Sequence, residues 1–273
     1  MRPASLLLLC TASAAFQPPA LRRPLLRTKE TVADLDLLDV RGGAALGTAP
    51  SAMDEFVGEA TGTALLLTLG YGAVASSASG NLGLHGVACT WGVGVALGIV
   101  AAGDLSGAHL NPAITLALVA FKRFPLRKVP RYALGQMAGA LAAAAFTALS
   151  KPAAAAPYPY VMALAPGVGI LRGAFVEGLH TAVFAAAIFS SAGKRAQPYF
   201  LGAVLSALIC VGGPLTGAGY NPARDLAPRL AAALSGASTS AAAFPAGCLA
   251  VYTAGPVVGA LVGGFVASRF LKS

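Results

Sequence analysis

Charge is scarce in this chain. Only 10 acidic and 19 basic side chains occur among its 273 residues, 11% in all, whereas a soluble domain carries roughly 25%. The shortfall argues against a water-soluble globule before any segment is read. Cysteine occurs four times, at Cys10, Cys89, Cys210 and Cys248. The spacing matches no metal site, and three of the four lie in or beside apolar runs, where a thiol behaves as a small hydrophobe. No phosphate-cradling glycine loop and no nucleophile–base set can be placed. The sequence therefore predicts no catalytic residue, no metal, no cofactor and no enzyme. The net charge of +9 is not a nucleic-acid footprint, because the bases are scattered between apolar runs instead of sharing a face with aromatics.

What is plentiful is apolar: 56% of residues are hydrophobic and 33 are glycine, which suits helices packed closely through small residues. Six runs, at about 56–76, 84–103, 132–149, 169–190, 199–215 and 246–270, approach the roughly 20 residues that a membrane span needs. Two further apolar stretches are too short to cross. Each opens on the same triplet, Asn111-Pro112-Ala113 and Asn221-Pro222-Ala223, placed 110 residues apart. Residues 111–121 reach roughly 16 Å as helix, about half of a 30 Å hydrocarbon core. Residues 221–234 are similar, though interrupted by Arg224, Asp225 and Arg229.

The chain also echoes itself. Phe56-Val57-Gly58-Glu59 with Thr63 matches Phe175-Val176-Glu177 with Thr181, and Gly139-Ala140-Leu141 matches Gly259-Ala260-Leu261. Each half, about 54–150 and about 169–273, reads as span, span, half-helix, span. Three spans per half is odd, so the halves must be oppositely oriented, as in the inverted repeats of transport proteins. The expected fold is an all-α membrane protein of six transmembrane helices plus two re-entrant half-helices. Lys122, Arg123, Arg127, Lys128 and Arg131 fill the loop after the first half-helix, with Lys194, Arg195, Arg269 and Lys272 on equivalent ends. The positive-inside rule places those ends on the cytosolic or stromal side of the bilayer.

Residues 1–53 stand apart. Arg2, the run Leu6-Leu7-Leu8-Leu9 and the small residues 11–15 form a signal-peptide pattern. Phe16 and a Pro- and Arg-containing stretch follow, with no acid before Glu30. The combination resembles the two-part plastid leaders of algae with secondary plastids. A plastid membrane is expected; a plain secretory signal would direct the chain to another endomembrane or the plasma membrane.

The loops Ser106-Gly107-Ala108-His109-Leu110-Asn111-Pro112-Ala113 and Gly217-Ala218-Gly219-Tyr220-Asn221-Pro222-Ala223-Arg224-Asp225 resemble the two signature loops of the major intrinsic proteins, the aquaporins and glycerol facilitators. The stretch Gly213-Pro214-Leu215-Thr216-Gly217 with Asp225 is nearer the glycerol-facilitator branch. The resemblance implies an aquaporin-like homotetramer with one pore per subunit. It implies a narrow filter of Trp91, Ile209, Ala218 and Arg224. It also implies that Glu59 and Glu177 brace the irregular loops and that His109 offers a backbone carbonyl to the solute path. Glycerol facilitators carry glycine and phenylalanine at the positions of Ile209 and Ala218, and water-specific members carry histidine at that of Ile209. The set here is nearer the nodulin-like plant channels.

Plainer alternatives exist for several residues. Asn111 and Asn221 could be simple helix caps with Pro112 and Pro222 at the first helical position. Asp225 could be only the salt-bridge partner of Arg224. Trp91 could be an interfacial anchor. His180 reads as a helix–helix hydrogen bond. The leading functional reading is a passive channel for glycerol and other small uncharged solutes, such as urea or ammonia, that also passes water and bars protons and ions. A water-selective channel and an ion-coupled secondary transporter are the competing readings. The latter needs Glu59 and Glu177 free to load ions.

Overall fold

The computed structural model describes residues 49–122, 124–150 and 158–271. The leader expected over 1–53 lies outside them except for its last five positions. Among the described residues the secondary structure is entirely helical. The first helix, α1, is Ala52–Ala78. It begins inside the stretch assigned to the leader because Ser51 and Asp54 form a reciprocal cap: the Asp54 amide donates to Ser51 Oγ at 3.1 Å and the Ser51 amide to Asp54 Oδ2 at 2.8 Å. Helix α2 is Leu84–Ser106, and the first half-helix, α3, is Pro112–Lys122. A 3-10 turn, Leu126–Lys128, leads into α4, Val129–Ser150.

The second half follows the same order. Helix α5 is Ile170–Ser191, α6 is Gln197–Thr216, and the second half-helix, α7, is Pro222–Leu234. After the short α8, Ser240–Ala243, the last span starts as a π-helical turn, Ala250–Ala254, and continues as α9, Gly255–Phe270. The sequence predicts one unbroken run over 246–270. The widened turn has a physical source in Pro256. That residue has no N–H to give Tyr252, and its ring would crowd the Tyr252 carbonyl in a regular α-turn.

Among the described residues, five helical segments are long and apolar enough to cross a bilayer: Leu84–Ser106, Leu126–Ser150, Ile170–Ser191, Gln197–Thr216 and Ala250–Phe270. Helix α1, expected as the sixth, is longer at 27 residues but carries Asp54, Glu55, Glu59 and several threonines. Asp54 caps the exposed start of the helix, while Glu55, Glu59 and Thr63 turn inward, the last two fully buried. Large apolar side chains such as Val93, Leu134, Phe146, Phe175, Val211 and Phe265 are exposed around the spans, a belt suited to lipid.

Packing pairs the halves. Helix α1 lies along α2 and α4, and α5 along α6 and α9; α2 meets α6. Each half-helix crosses to the other half's last span, α3 against α9 and α7 against α4. At the α2–α6 crossing, a methyl on Gly202 would sit 2.5 Å from the Gly92 carbonyl oxygen. Only glycine allows the two backbones to approach this closely. At one end of the bundle, Glu55 holds Lys128 at 2.6 Å and Arg131 at 2.5 Å, so part of the basic loop is neutralised locally.

Candidate functional site

The site is built by two loops that repeat each other atom for atom. In both, the preceding helix ends on a left-handed glycine, Gly107 at φ 79° and Gly217 at φ 81°. Two non-glycine residues then follow in the same conformation, Ala108 and Leu110 at φ 54° and 53°, and Ala218 and Tyr220 at φ 56° and 55°. Such residues cost about 1–3 kcal/mol each and persist only where their surroundings hold them. Their N–H groups have no helical partner, and a bilayer interior offers no water to replace one.

The Ala108 and Ala218 amides donate to the Ser106 and Thr216 hydroxyls at 3.1 and 3.2 Å, and two buried carboxyl groups take the next two amides of each loop. Glu59 accepts the His109 amide at 2.9 Å, the Leu110 amide at 2.7 Å and the Ser106 hydroxyl at 2.6 Å. Glu177 accepts the Gly219 amide at 2.9 Å, the Tyr220 amide at 2.7 Å and the Thr216 hydroxyl at 2.6 Å. Two tyrosines complete the matching pair: Tyr132 donates to the Ser106 carbonyl at 2.6 Å, and Tyr252 to the Thr216 carbonyl at 2.7 Å. Gln136 breaks the symmetry, donating to Glu59 at 2.7 Å and to Thr115 at 3.0 Å. The second half has Pro256 at the corresponding place. Sequence reading passed over Tyr132, Tyr252 and Gln136. The two tyrosines, 120 residues apart, extend the Glu and Gly echoes and could have been found from them.

The triplets meet. Each asparagine caps its own half-helix, Asn111 Oδ1 accepting the Ala113 amide at 2.9 Å and Asn221 Oδ1 the Ala223 amide at 3.0 Å. Each side-chain amide then reaches across to the opposite loop. Asn111 Nδ2 donates to the Tyr220 carbonyl and Asn221 Nδ2 to the Leu110 carbonyl, both at 2.8 Å. Capping alone needs no such exchange. The exchange points the N-terminal ends of α3 and α7 at one another, and both asparagines line one cavity.

That inner cavity, about 70 Å³, is followed by an outer one of about 420 Å³. Three side chains belong to the walls of both: Trp91, Ile209 and Arg224. These three sit where the two cavities adjoin. Ala218 faces the inner cavity alone, so the four expected filter residues come together with Ala218 set to one side. Trp91 is 3% exposed and stacks beneath the guanidinium of Arg224 at 4.6 Å from its ring, a place inside the bundle rather than at a lipid interface. Gly70 seats the indole, since a methyl there would lie 2.5 Å from three of its ring carbons.

Arg224 is nearly buried and is held without a carboxylate. Its Nη2 donates to the Gly217 carbonyl at 3.0 Å, its Nη1 contacts Met162 Sδ, and its own carbonyl accepts the Tyr71 hydroxyl at 2.7 Å. Asp225 instead pairs with Arg229 at 2.8 Å. The plainer expectation for Asp225 is thereby corrected: one turn along α7 the Arg229 side chain lies on the same face, and Arg224 points to the cavities. Arg229 itself donates to the carbonyls of Ala243 and Met162 at 2.8 and 2.7 Å, fastening the end of α8 and the segment before α5 to the half-helix. Tyr160, beside the outer cavity, stacks on Tyr71 at 4.4 Å, and burial pushes its phenol above the usual value.

His109 lines the inner cavity; its ring meets the Thr115 hydroxyl at 3.2 Å and packs on Phe124 and Tyr132, each 4.6 Å away. His180 Nδ1 lies 2.8 Å from the Tyr220 hydroxyl. That hydroxyl donates to the Leu208 carbonyl at 3.0 Å, so the histidine nitrogen is the donor between them. Among the described residues no cluster of three potential metal ligands occurs.

Comparison with known proteins agrees with this geometry. A glycerol uptake facilitator protein of Haemophilus influenzae is 36% identical over 247 residues, covering 77% of this chain and 90% of its own. Aquaporin NIP1-1 of Zea mays is 33% identical over 230 residues, 82% of this chain and 77% of its own. The aquaglyceroporin structure from Plasmodium falciparum superposes with a TM-score of 0.72 at 25% identity, over 81% of this chain and 97% of that one. The profile of the major intrinsic protein family matches residues 47–267. With its paired triplets, half-helices and six-helix bundle, the chain belongs to the major intrinsic protein family.

Proposed function

We propose that this protein is a passive transmembrane channel for glycerol and other small uncharged solutes, urea or ammonia among them, that also passes water and bars protons and ions. One observation carries the reading: the cavity lined by the crossed asparagines and the larger cavity beside it share Trp91, Ile209 and Arg224 as a common wall. Trp91 and Ile209 suit the carbon face of a polyol, and Arg224 suits its hydroxyl oxygens. The remaining amide protons of Asn111 and Asn221 offer donors to the same oxygens midway. Two half-helix N-termini facing one point make that point positive, which disfavours protons and cations. Arg224 adds a fixed positive charge.

An ion-coupled transporter needs carboxyl groups free to load an ion. Glu59 and Glu177 are each occupied by two backbone amides and a hydroxyl, which favours the channel. The absence of histidine at Ile209 favours a solute channel over a water-selective one. In this reading 54–150 and 169–273 are the two repeats, and four copies associate with one pore each. The leader reading places the chain in a plastid membrane, which fluorescent tagging behind an intact leader tests. The function is tested by swelling of proteoliposomes in glycerol, urea, ammonia and water. Glycerol flux well above that of empty vesicles, independent of any ion gradient, is expected. Flux that requires a proton or sodium gradient sinks the reading.

A further inference from the structure

The outer cavity has a wall that none of the four filter positions supplies. Met162, from the segment joining the two halves, is 6% exposed and lines that cavity beside Trp91, Ile209 and Arg224. Its position is fixed at the backbone, where its carbonyl accepts Arg229 Nη2 at 2.7 Å. The second signature loop packs on its side chain: a methyl on Gly217 would lie 3.3 Å from Met162 Cγ, and one on Gly219 3.0 Å from Met162 Cε. Its sulfur sits against Arg224 Nη1. Arg224 otherwise has one protein acceptor, the Gly217 carbonyl, and its Nε has none.

A thioether is a weak acceptor. It occupies an arginine donor yet yields it to a passing hydroxyl oxygen. Oxidation changes that competition, because methionine sulfoxide is polar and carries a strong acceptor oxygen. We propose that Met162 is a fifth residue of the constriction and an oxidation site at which conversion to the sulfoxide throttles solute flow. The proposal rests on the channel reading above. The oxidant is a small uncharged hydroperoxide that enters the outer cavity. The sulfur lone pair attacks one peroxide oxygen, the S–O bond forms and the O–O bond breaks. The departing oxygen takes up the proton released from the S–OH group and leaves as water when the oxidant is hydrogen peroxide, or as an alcohol when it is an organic hydroperoxide. Sulfur loses two electrons and the peroxide gains them. The new oxygen then holds the Arg224 donor that solute must borrow, and it narrows the passage by one atom.

The test uses the full-length chain in proteoliposomes. Glycerol swelling is measured before and after hydrogen peroxide treatment and removal, and conversion is followed by peptide mass spectrometry. Met53, 67% exposed, reports that the oxidant acted. Treated wild type is expected to lose about fivefold in glycerol permeability, the factor carried by one ordinary net hydrogen bond. Met162→Leu keeps its own untreated rate after treatment, and Met162→Gln, with a permanent amide oxygen, is slow without any oxidant. Using the treated-to-untreated ratio within each protein removes differences in yield. Full conversion of Met162 with unchanged flux overturns the proposal. So does an equal loss in Met162→Leu, which assigns the effect to another oxidisable side chain such as Met137 or a cysteine, or an unconverted Met162 beside a fully converted Met53. Untreated wild type that passes neither glycerol nor water overturns the channel reading and this inference together, whereas a conducting but peroxide-indifferent channel overturns this one alone.

Discussion

Replacing Glu177 by alanine removes the acceptor for three donors at once. The Thr216 hydroxyl has a second acceptor in reach, the Gly212 carbonyl at 3.3 Å, and turns to it. The amides of Gly219 and Tyr220 have no such recourse, because both sit in the irregular loop between α6 and α7, away from any helical carbonyl. Each orphaned buried amide costs about 1–3 kcal/mol, so the change destabilises the folded bundle by about 2–6 kcal/mol. Set against a typical stability of about 5–15 kcal/mol, that is a large fraction. The apparent melting midpoint in detergent is expected to fall by roughly 5–20 °C, followed by size-exclusion chromatography of heated samples. Glutamine, which keeps one acceptor oxygen, is expected to lose about half as much. The same loop carries the Gly217 carbonyl that holds Arg224, so the surviving protein should also lose glycerol-over-ion selectivity in swelling and leak assays. An alanine variant with unchanged midpoint and selectivity would refute the bracing role and show that another group reaches those amides.

Three further outcomes follow from the constriction. Arg224→Val is expected to raise proton or cation leak, read by a pH-sensitive dye in vesicles, while glycerol still passes; an unchanged leak counts against the filter. Ile209→His is expected to shift the water-to-glycerol permeability ratio toward water, and no shift would mean that Ile209 does not touch the solute. Gly70→Ala must displace the Trp91 indole, whose ring carbons lie 2.5 Å from the added methyl position. Glycerol permeability should drop more than water permeability, and Trp91→Phe in the same chain should restore part of it.

Much of this architecture was legible because it is written in patterns with a physical length. The two triplets announce helix starts, the 11 residues of α3 are too few to cross a bilayer, and the glutamate echo fixes the repeat. The capping box at Ser51 blurred the boundary with the leader, since α1 gains its first turn from Asp54 rather than from apolar residues. The π-helical turn before Gly255 follows from one proline whose effect depends on what surrounds it. Met162 and Arg229 were not legible at all. Met162 lies in a segment with no helical period, and its role comes from contact with Arg224, 62 positions on. Arg229 looks like an interruption of an apolar stretch, yet it clamps α8 and the segment holding Met162 from within the bundle. Long-range neighbours of this kind leave no mark in spacing.

The reciprocal bonds between asparagine amides and opposite carbonyls set an order of events during synthesis. When the amino-terminal half emerges from the ribosome, the Asn111 amide and the Leu110 carbonyl have no mates. Their mates lie about 110 residues downstream, roughly 5–20 s of translation away. For that interval the half-built protein must park an unfinished polar tip at the translocon or in water, and α3 can settle against α9 only after the second half has emerged.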